Sequence, residues 1–263
     1  MTDQPTQVLP VEAAPERDGR RRWLRVLLRV GIPVLAVVLL LVVADTVTRS
    51  IVEQRVAGEI EKSLPNTVKA DVTVHLGGFS VLQQLAAGRF ESVELDAPTA
   101  KVNGAVLSAT VHATGPVDFA KPIHSATGTL DISEDSLNRL VSVPGATGGL
   151  TLGDGVIGYD GRIDLLGLPV DYRVSAKPKA AGTTVLLQPD KANISTGTGD
   201  VNISRLLQSL TASGPFPVCA AQYLPDGVDV TGIRVKPGRA SVTLTARDFV
   251  LNDAFLGSKG SCS

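Results

Sequence analysis

The sequence predicts an α+β fold: a long, mostly antiparallel sheet with one apolar face, covered by an amphipathic helix that itself follows a transmembrane segment. Three observations predict it. A charge-free run, Val30–Ala44, follows a cluster of arginines. Apolar residues then recur at four-residue steps from Val52 to Leu64. From residue 67 onward the apolar period drops from 3.6 to 2 and holds almost to the C-terminus. The 263 residues are enough for one large domain or two small ones with a real core.

Residues 1–22 read as a disordered, basic cytoplasmic tail, rich in Pro, Gln and Thr and without periodicity. Six arginines stand against four acids in residues 1–29, whereas the whole chain carries a net charge of −1. Residues 23–44 form the apolar segment. The 15 uncharged residues Val30–Ala44 would span about 22 Å as a helix, short of the roughly 30 Å hydrocarbon core. Counted from Trp23, with Arg25 and Arg29 snorkelling toward the headgroups, the helix reaches about 33 Å. The arginines place the N-terminus in the cytoplasm and residues 45–263 outside the plasma membrane, in a periplasm-like space. Two readings stand: an uncleaved anchor, or a signal removed at Val42-Val43-Ala44 that leaves a secreted domain. The body beyond the leader is mildly acidic, which argues against nucleic acid as its ligand.

The next element is a helix over residues 45–64, ended by Pro65. Val52, Val56, Ile60 and Leu64 form one apolar stripe, with Arg49 and Glu53 intruding near the membrane end. Strands follow: Val72, Val74 and Leu76 alternate with Asp71, Thr73 and His75, and Val93, Leu95 and Ala97 alternate with Ser92, Glu94 and Asp96. A short helix joins these runs. Ser80 followed by Gln83 is a capping-box pattern, and Gly88 sits where a helix of Val81–Ala87 would want a left-handed residue. Val81, Leu82 and Leu85 share one side of it, and Gln83 and Gln84 face the other way. Seven residues cannot hold a helix in water unaided, so that side must lie on protein or on a bound apolar molecule.

Alternation continues through Leu107–Ala113, Val170–Ala176, Val228–Val230 and Val242–Ala246. Asn103-Gly104 and Asp160-Gly161 read as primed hairpin turns between such runs. Ser133 can cap a helix of Glu134–Val141, and residues 202–210 can form another. Gly214-Pro-Phe-Pro-Val218 reads as an apolar loop whose Phe216 dips into a bilayer, gates a pocket or folds into the core. A one-faced sheet must be covered. With aromatics at only 4% and strand faces of Val, Ala and Leu, the cover is either a closed, packed core or an open apolar cavity filled by a ligand.

Catalytic constellations are missing. His75, His112 and His124 are isolated, none at metal-ligand spacing, so neither a metal site nor a cofactor is expected. The Gly153, Gly155 and Gly158 pattern lies between strand-like runs with no helix behind it, and reads as turn and bulge glycines rather than a dinucleotide loop. Cys219 and Cys262, the two cysteines of an exported chain, are the right number for one disulfide.

The segment Leu76–Leu95 resembles the signature of the LmeA-like family of exported phospholipid-binding proteins, named after a lipomannan elongation factor. Ala44-Asp45 opens the helix, Gly78-Phe79 makes the turn, Leu82 and Gln84-Leu85 lie on the short helix, and Gly88-Arg89-Phe90 leads into the strand. Ser80 and Val81 depart from the Pro and Phe often found there. The resemblance implies a tubular lipid-binding-protein-like fold, a long curved antiparallel sheet wrapped around the N-terminal amphipathic helix, with an apolar cavity for acyl chains. It implies a non-enzyme that binds phospholipid, transfers it in support of cell-envelope lipoglycan assembly, and meets the membrane and an envelope glycosyltransferase or other envelope protein. The expected cavity wall is Val52, Val56, Ile60, Leu64, Phe79, Val81, Leu82, Leu85, Phe90 and Phe216. The rival reading is a non-catalytic scaffold that binds an envelope biosynthetic enzyme.

Overall fold

A computed structural model describes residues 18–64, 68–118, 120–141, 147–165, 168–196, 199–202 and 214–262. In chain order the elements are α1 (Asp18–Ser63), β1 (Val68–Lys69), β2 (Thr73–Leu76), α2 (Val81–Ala87), β3 (Arg89–Val102), β4 (Ala105–Pro116), β5 (Ile123–Ser133) and α3 (Glu134–Leu140). There follow β6 (Thr147–Leu152), β7 (Ile157–Leu165), β8 (Leu168–Ala181), β9 (Thr184–Thr196), β10 (Gly199–Asn202) and β11 (Phe216–Cys219). A 3-10 turn (Ala221–Tyr223), β12 (Val228–Lys236), β13 (Arg239–Phe249) and α4 (Asp253–Gly257) complete the chain. The fold is α+β with antiparallel pairing throughout the described strands.

The chain divides into two compact units, the first ending at Val47 and the second running from Thr48. In the first unit, α1 carries a run long and apolar enough to cross a membrane, with Pro33 inside it. The helix starts at Asp18, ahead of the expected Trp23, and the apolar segment and the expected amphipathic helix form one continuous element.

In the second unit the expected meander is split between two sheets. The first, seven-stranded, has the order β1-β3-β4-β5-β13-β12, with β2 also on β3; the second, six-stranded, has the order β10-β9-β8-β7-β6, with β11 also on β9. They meet at β12, where an isolated bridge pairs Gly182 with Val230 and Gly155 N–H donates to Val235 O at 3.1 Å. Asn103 and Gly104, at φ 48° and 84°, make the primed turn between β3 and β4. Asp160 and Gly161 do not turn the chain: they lie inside β7, opposite Arg173 and Tyr172 of β8. Glycine is needed there for space, because a Cβ at Gly161 would stand 2.4 Å from the Tyr172 ring. The Phe216 segment is likewise not a loop but the edge strand β11, in which Pro217 is tolerated because among the described residues β11 pairs on one side only. The expected helix over residues 202–210 lies outside the described residues apart from Asn202, which ends β10.

β3 contains two bulges. Four residues from Phe90 to Val93 match three on β4, and so do the four from Ala97 to Ala100. Each bulge restores the alternation, so Phe90, Val93, Ala97 and Ala100 are all buried on one face. Ser133 caps α3 by accepting from Ser136 N–H, and Cys219 and Cys262 are bonded, with Cα atoms 5.7 Å apart.

Candidate functional site

The part of α1 beyond Val47 uses two of its faces. On one, Val56 is buried and Val52 and Ile60 pack beside it against Val74, Leu76, Val81, Phe90 and Val93. On the other, polar side chains meet the backbone of β2, whose ladder partner is β3. Leu76 N–H donates to Glu53 Oε1 at 2.8 Å and Val72 N–H to Glu61 Oε1 at 3.0 Å. The Arg49 guanidinium donates to Leu76 O and, at 3.1 Å, to Gly78 O. Arg49 and Glu53, which interrupt the apolar pattern in sequence, thus satisfy an edge that no further strand among the described residues covers.

α2 is capped as its sequence requires: Ser80 Oγ accepts from Gln83 N–H at 3.2 Å, and Gly88 adopts φ 71°. Its buried face differs from the expected one. Val81 is wholly buried, but the second buried residue is Gln84, 4% exposed, while Leu82 stays 36% exposed and Leu85 is half-buried. Gln84 is turned inward because its amide joins two backbone groups: Nε2 donates to Gly77 O at 2.8 Å and Oε1 accepts from Glu91 N–H at 3.0 Å. A buried amide with both ends satisfied is stable where an unpaired one would not be. No periodic signal marks it, since its partners depend on the turn that brings Gly77 near Glu91.

Between α1 and the apolar face of the first sheet lies a cavity of about 210 Å³. Val56 and Ile60 form one wall; Phe90, Val93 and Leu95 of β3, Val111 and Ala113 of β4, Ile123 and Ala126 of β5, and Phe249 and Leu251 form the others. Register explains the room. Across the sheet, Val93 lies beside Ala113, then Ala126, then Ala246, and Leu95 beside Val111, then Gly128, then Leu244. Small residues occupy the middle strands where large ones would close the space.

The same face continues past the cavity. Ala109, Leu130, Val242 and Ile233 form the next row, and Leu107, Ile132, Ala240 and Val235 the one after it. Ala109, Val111, Leu130, Val242 and Leu244 are only half-buried. At the far side, Ile132 and Ile233 pack with Leu152 and Ile157 of the second sheet and Leu137 of α3. Ile157 in turn lines a second cavity, of about 350 Å³, with Leu150, Tyr159, Val174, Ala176, Leu187, Pro189 and Phe216 in its wall and Lys191 at its lining. Tyr159 and Tyr172 stack at 6.0 Å, and the Tyr159 phenol is held above its ordinary value by desolvation and by the neighbouring Tyr172 hydroxyl. An apolar strip therefore connects two cavities.

The expected wall residues fall into three groups. Val56, Ile60 and Phe90 line the first cavity, with Val52, Val81 and Leu85 packed in the core behind it. Phe216, 47% exposed, lines the second. Leu64, Leu82 and Phe79 line neither, and Phe79 stands 96% exposed on the connection into α2. Sequence reading missed the second cavity, because its wall is assembled from five strands whose outward face alternates as cleanly as the inward one. Among the described residues no group of three or more His, Cys, Asp or Glu is placed to hold a metal ion. The turn glycines Gly153 and Gly155 carry the chain from β6 to β7, with Gly153 N–H donating to Val156 O at 2.9 Å and no helix following.

A sequence family described as LmeA-like phospholipid-binding matches residues 43–246, most of the chain and nearly all of both cavity walls. No curated protein and no solved structure matches the chain.

Proposed function

Since the chain belongs to the LmeA-like phospholipid-binding family, we propose that acyl chains of a phospholipid lie along the half-buried face of the first sheet, with their ends in the two cavities. The observation that carries this reading is the continuity of the strip from Val56 and Phe90 to Ile157 and Phe216. Volume supports it. A cavity of roughly 150 Å³ takes a benzene ring, so spaces of about 210 and 350 Å³ take segments of single chains, and a diacyl lipid needs the strip as well. Each methylene withdrawn from water contributes about 0.8 kcal/mol, so a partial chain suffices for stable binding.

The rest of the reading follows the leader. Residues 1–22 are the cytoplasmic tail, residues 23–44 anchor the chain in the plasma membrane, and residues 45–263 work outside it. The arginine cluster and the length of the apolar run support this topology. An open strip suits exchange better than a sealed tunnel does, so transfer of lipid toward an envelope glycosyltransferase or another enzyme of lipoglycan assembly is the role proposed. A scaffold would need the apolar face but not the two cavities.

The test is lipid extraction and native mass spectrometry on the full chain purified from a bacterial membrane. The expected result is phospholipid retained through detergent exchange, and lost when Ala113→Trp fills the first cavity. An apo mass together with no uptake from liposomes would overturn the proposal.

A further inference from the structure

Phe79 is more exposed than any other large apolar side chain described, at 96%. The turn that carries it is not loose. Gly77 N–H donates to Ser92 O at 2.9 Å, the Gln84 amide holds Gly77 O, the Arg49 guanidinium holds Gly78 O, and Ser80 caps α2. Gly78 sits at φ 90°, and a Cβ there would stand 2.4 Å from Gln84 Nε2 and 2.8 Å from Glu91 Oε2. The ring is therefore presented outward by a turn clamped on both sides. Leu82, one helical turn on, adds a second partly exposed apolar side chain.

Chain length limits what that ring can meet. Arg49, which grips the turn, lies five residues beyond Ala44, the end of the uncharged run. Five residues in any conformation reach at most about 18 Å. The turn also stands at the cavity end of the first sheet, since Leu76 pairs with Val93 and both Val93 and Phe90 line the cavity.

The geometry points to the Gly77–Ser80 turn as a bilayer-docking element. Phe79, with Leu82 behind it, enters the interfacial layer of the membrane that holds the N-terminal helix and fixes the end of the sheet where acyl chains enter. Phe and Leu side chains suit the boundary between headgroups and acyl chains. This rests on the anchored, lipid-binding reading for its purpose, but the bilayer contact can be read separately.

The test uses the full chain reconstituted into phosphatidylcholine–phosphatidylglycerol vesicles. Trp23 is the only tryptophan, so the double variant Trp23→Phe, Phe79→Trp reports on the turn alone. Its emission should be blue-shifted, and at least halved by brominated acyl chains. The control, Trp23→Phe with Tyr223→Trp at a 73% exposed position, should be unquenched. Emission at the aqueous wavelength, or a blue shift without bromine quenching that marks a protein contact, would overturn the proposal. Phe79→Asp should slow transfer of a fluorescent phospholipid about tenfold with an unchanged melting temperature; unchanged transfer would remove the entry role. Quenching in a chain that takes up no lipid would sink the lipid site and leave the docking contact supported.

Discussion

The two cavities are built from opposite materials. Around the first, Val56, Phe90 and Val93 are each buried and belong to the cluster that holds α1, β2 and α2 to the sheet. Around the second, Val174 and Phe216 are 41% and 47% exposed, and the wall is sheet alone. One cavity is a gap left inside a core, the other a hollow on a surface. In the first, a residue that touches ligand also holds the fold together, so stability and binding change together. In the second they separate, which makes the second sheet the better place to measure binding by itself.

Substitutions can break that contrast or sharpen it. The largest effect is expected for Phe90→Ala, which removes a buried ring from the shared wall and should cost about 3–5 kcal/mol in denaturant melts. A loss near zero would mean that the first cavity is as soft as the second. Gln84→Leu comes next: it strands Gly77 O and Glu91 N–H, at about 1–3 kcal/mol for each group left unpaired. Amide exchange should then rise at Glu91 ahead of the strands around it. Phe216→Ala should cost less than about 1 kcal/mol in stability while lowering lipid affinity roughly tenfold, about 1.4 kcal/mol, as read by titration with a fluorescent fatty acyl probe. Equal losses in both quantities would erase the distinction.

The smallest effect lies on the outer face of the second sheet, where Asp171 and Arg162, and Asp160 and Arg173, form two cross-strand pairs at 2.6 and 2.7 Å. The hydrogen bond from Arg162 holds the Asp171 carboxyl below its ordinary value. A carboxyl lowered by folding stabilises above its unfolded value, near pH 4, and that contribution is lost as pH falls through the folded value. Both side chains are more than half exposed, so solvent screening keeps the effect small. Asp171→Asn should therefore lower the melting temperature slightly at pH 7, by an amount that shrinks as pH falls below the ordinary carboxylate value.

What could be read in the sequence was local. Ser80 and Gly88 mark both ends of α2, Asn103-Gly104 marks its hairpin, and the period of 2 marks most strands, because each signal lies within a few residues of its effect. Both cysteines could be paired because there was no other choice of partner. Gln84 could not be placed, because its two backbone partners are brought together only by the turn at Gly78. Gly161 was read as a turn because the Tyr172 ring that demands its missing side chain is on another strand. β11 looked like a loop because Pro217 signals a break unless the strand is known to lie at an edge. Among the site residues, Val56 and Ile60 followed from periodicity and Phe90 from the Gly88-Arg89-Phe90 motif, whereas Ala113, Ala126 and Gly128 make room only through a register that no single strand reveals.

The bulges of β3 separate two properties that a regular strand ties together. Elsewhere in β3, deleting one residue would reverse the phase of everything beyond it and send the apolar side chains to solvent. Within a bulge the extra residue is surplus to the count. Removing Ser92 would leave Phe90 two positions from Val93, still on the same side, but without the local bend and added twist that a bulge imposes. Such a deletion would keep the composition of the cavity wall and flatten its curvature, so the shape of the hollow could be altered without changing any residue that lines it.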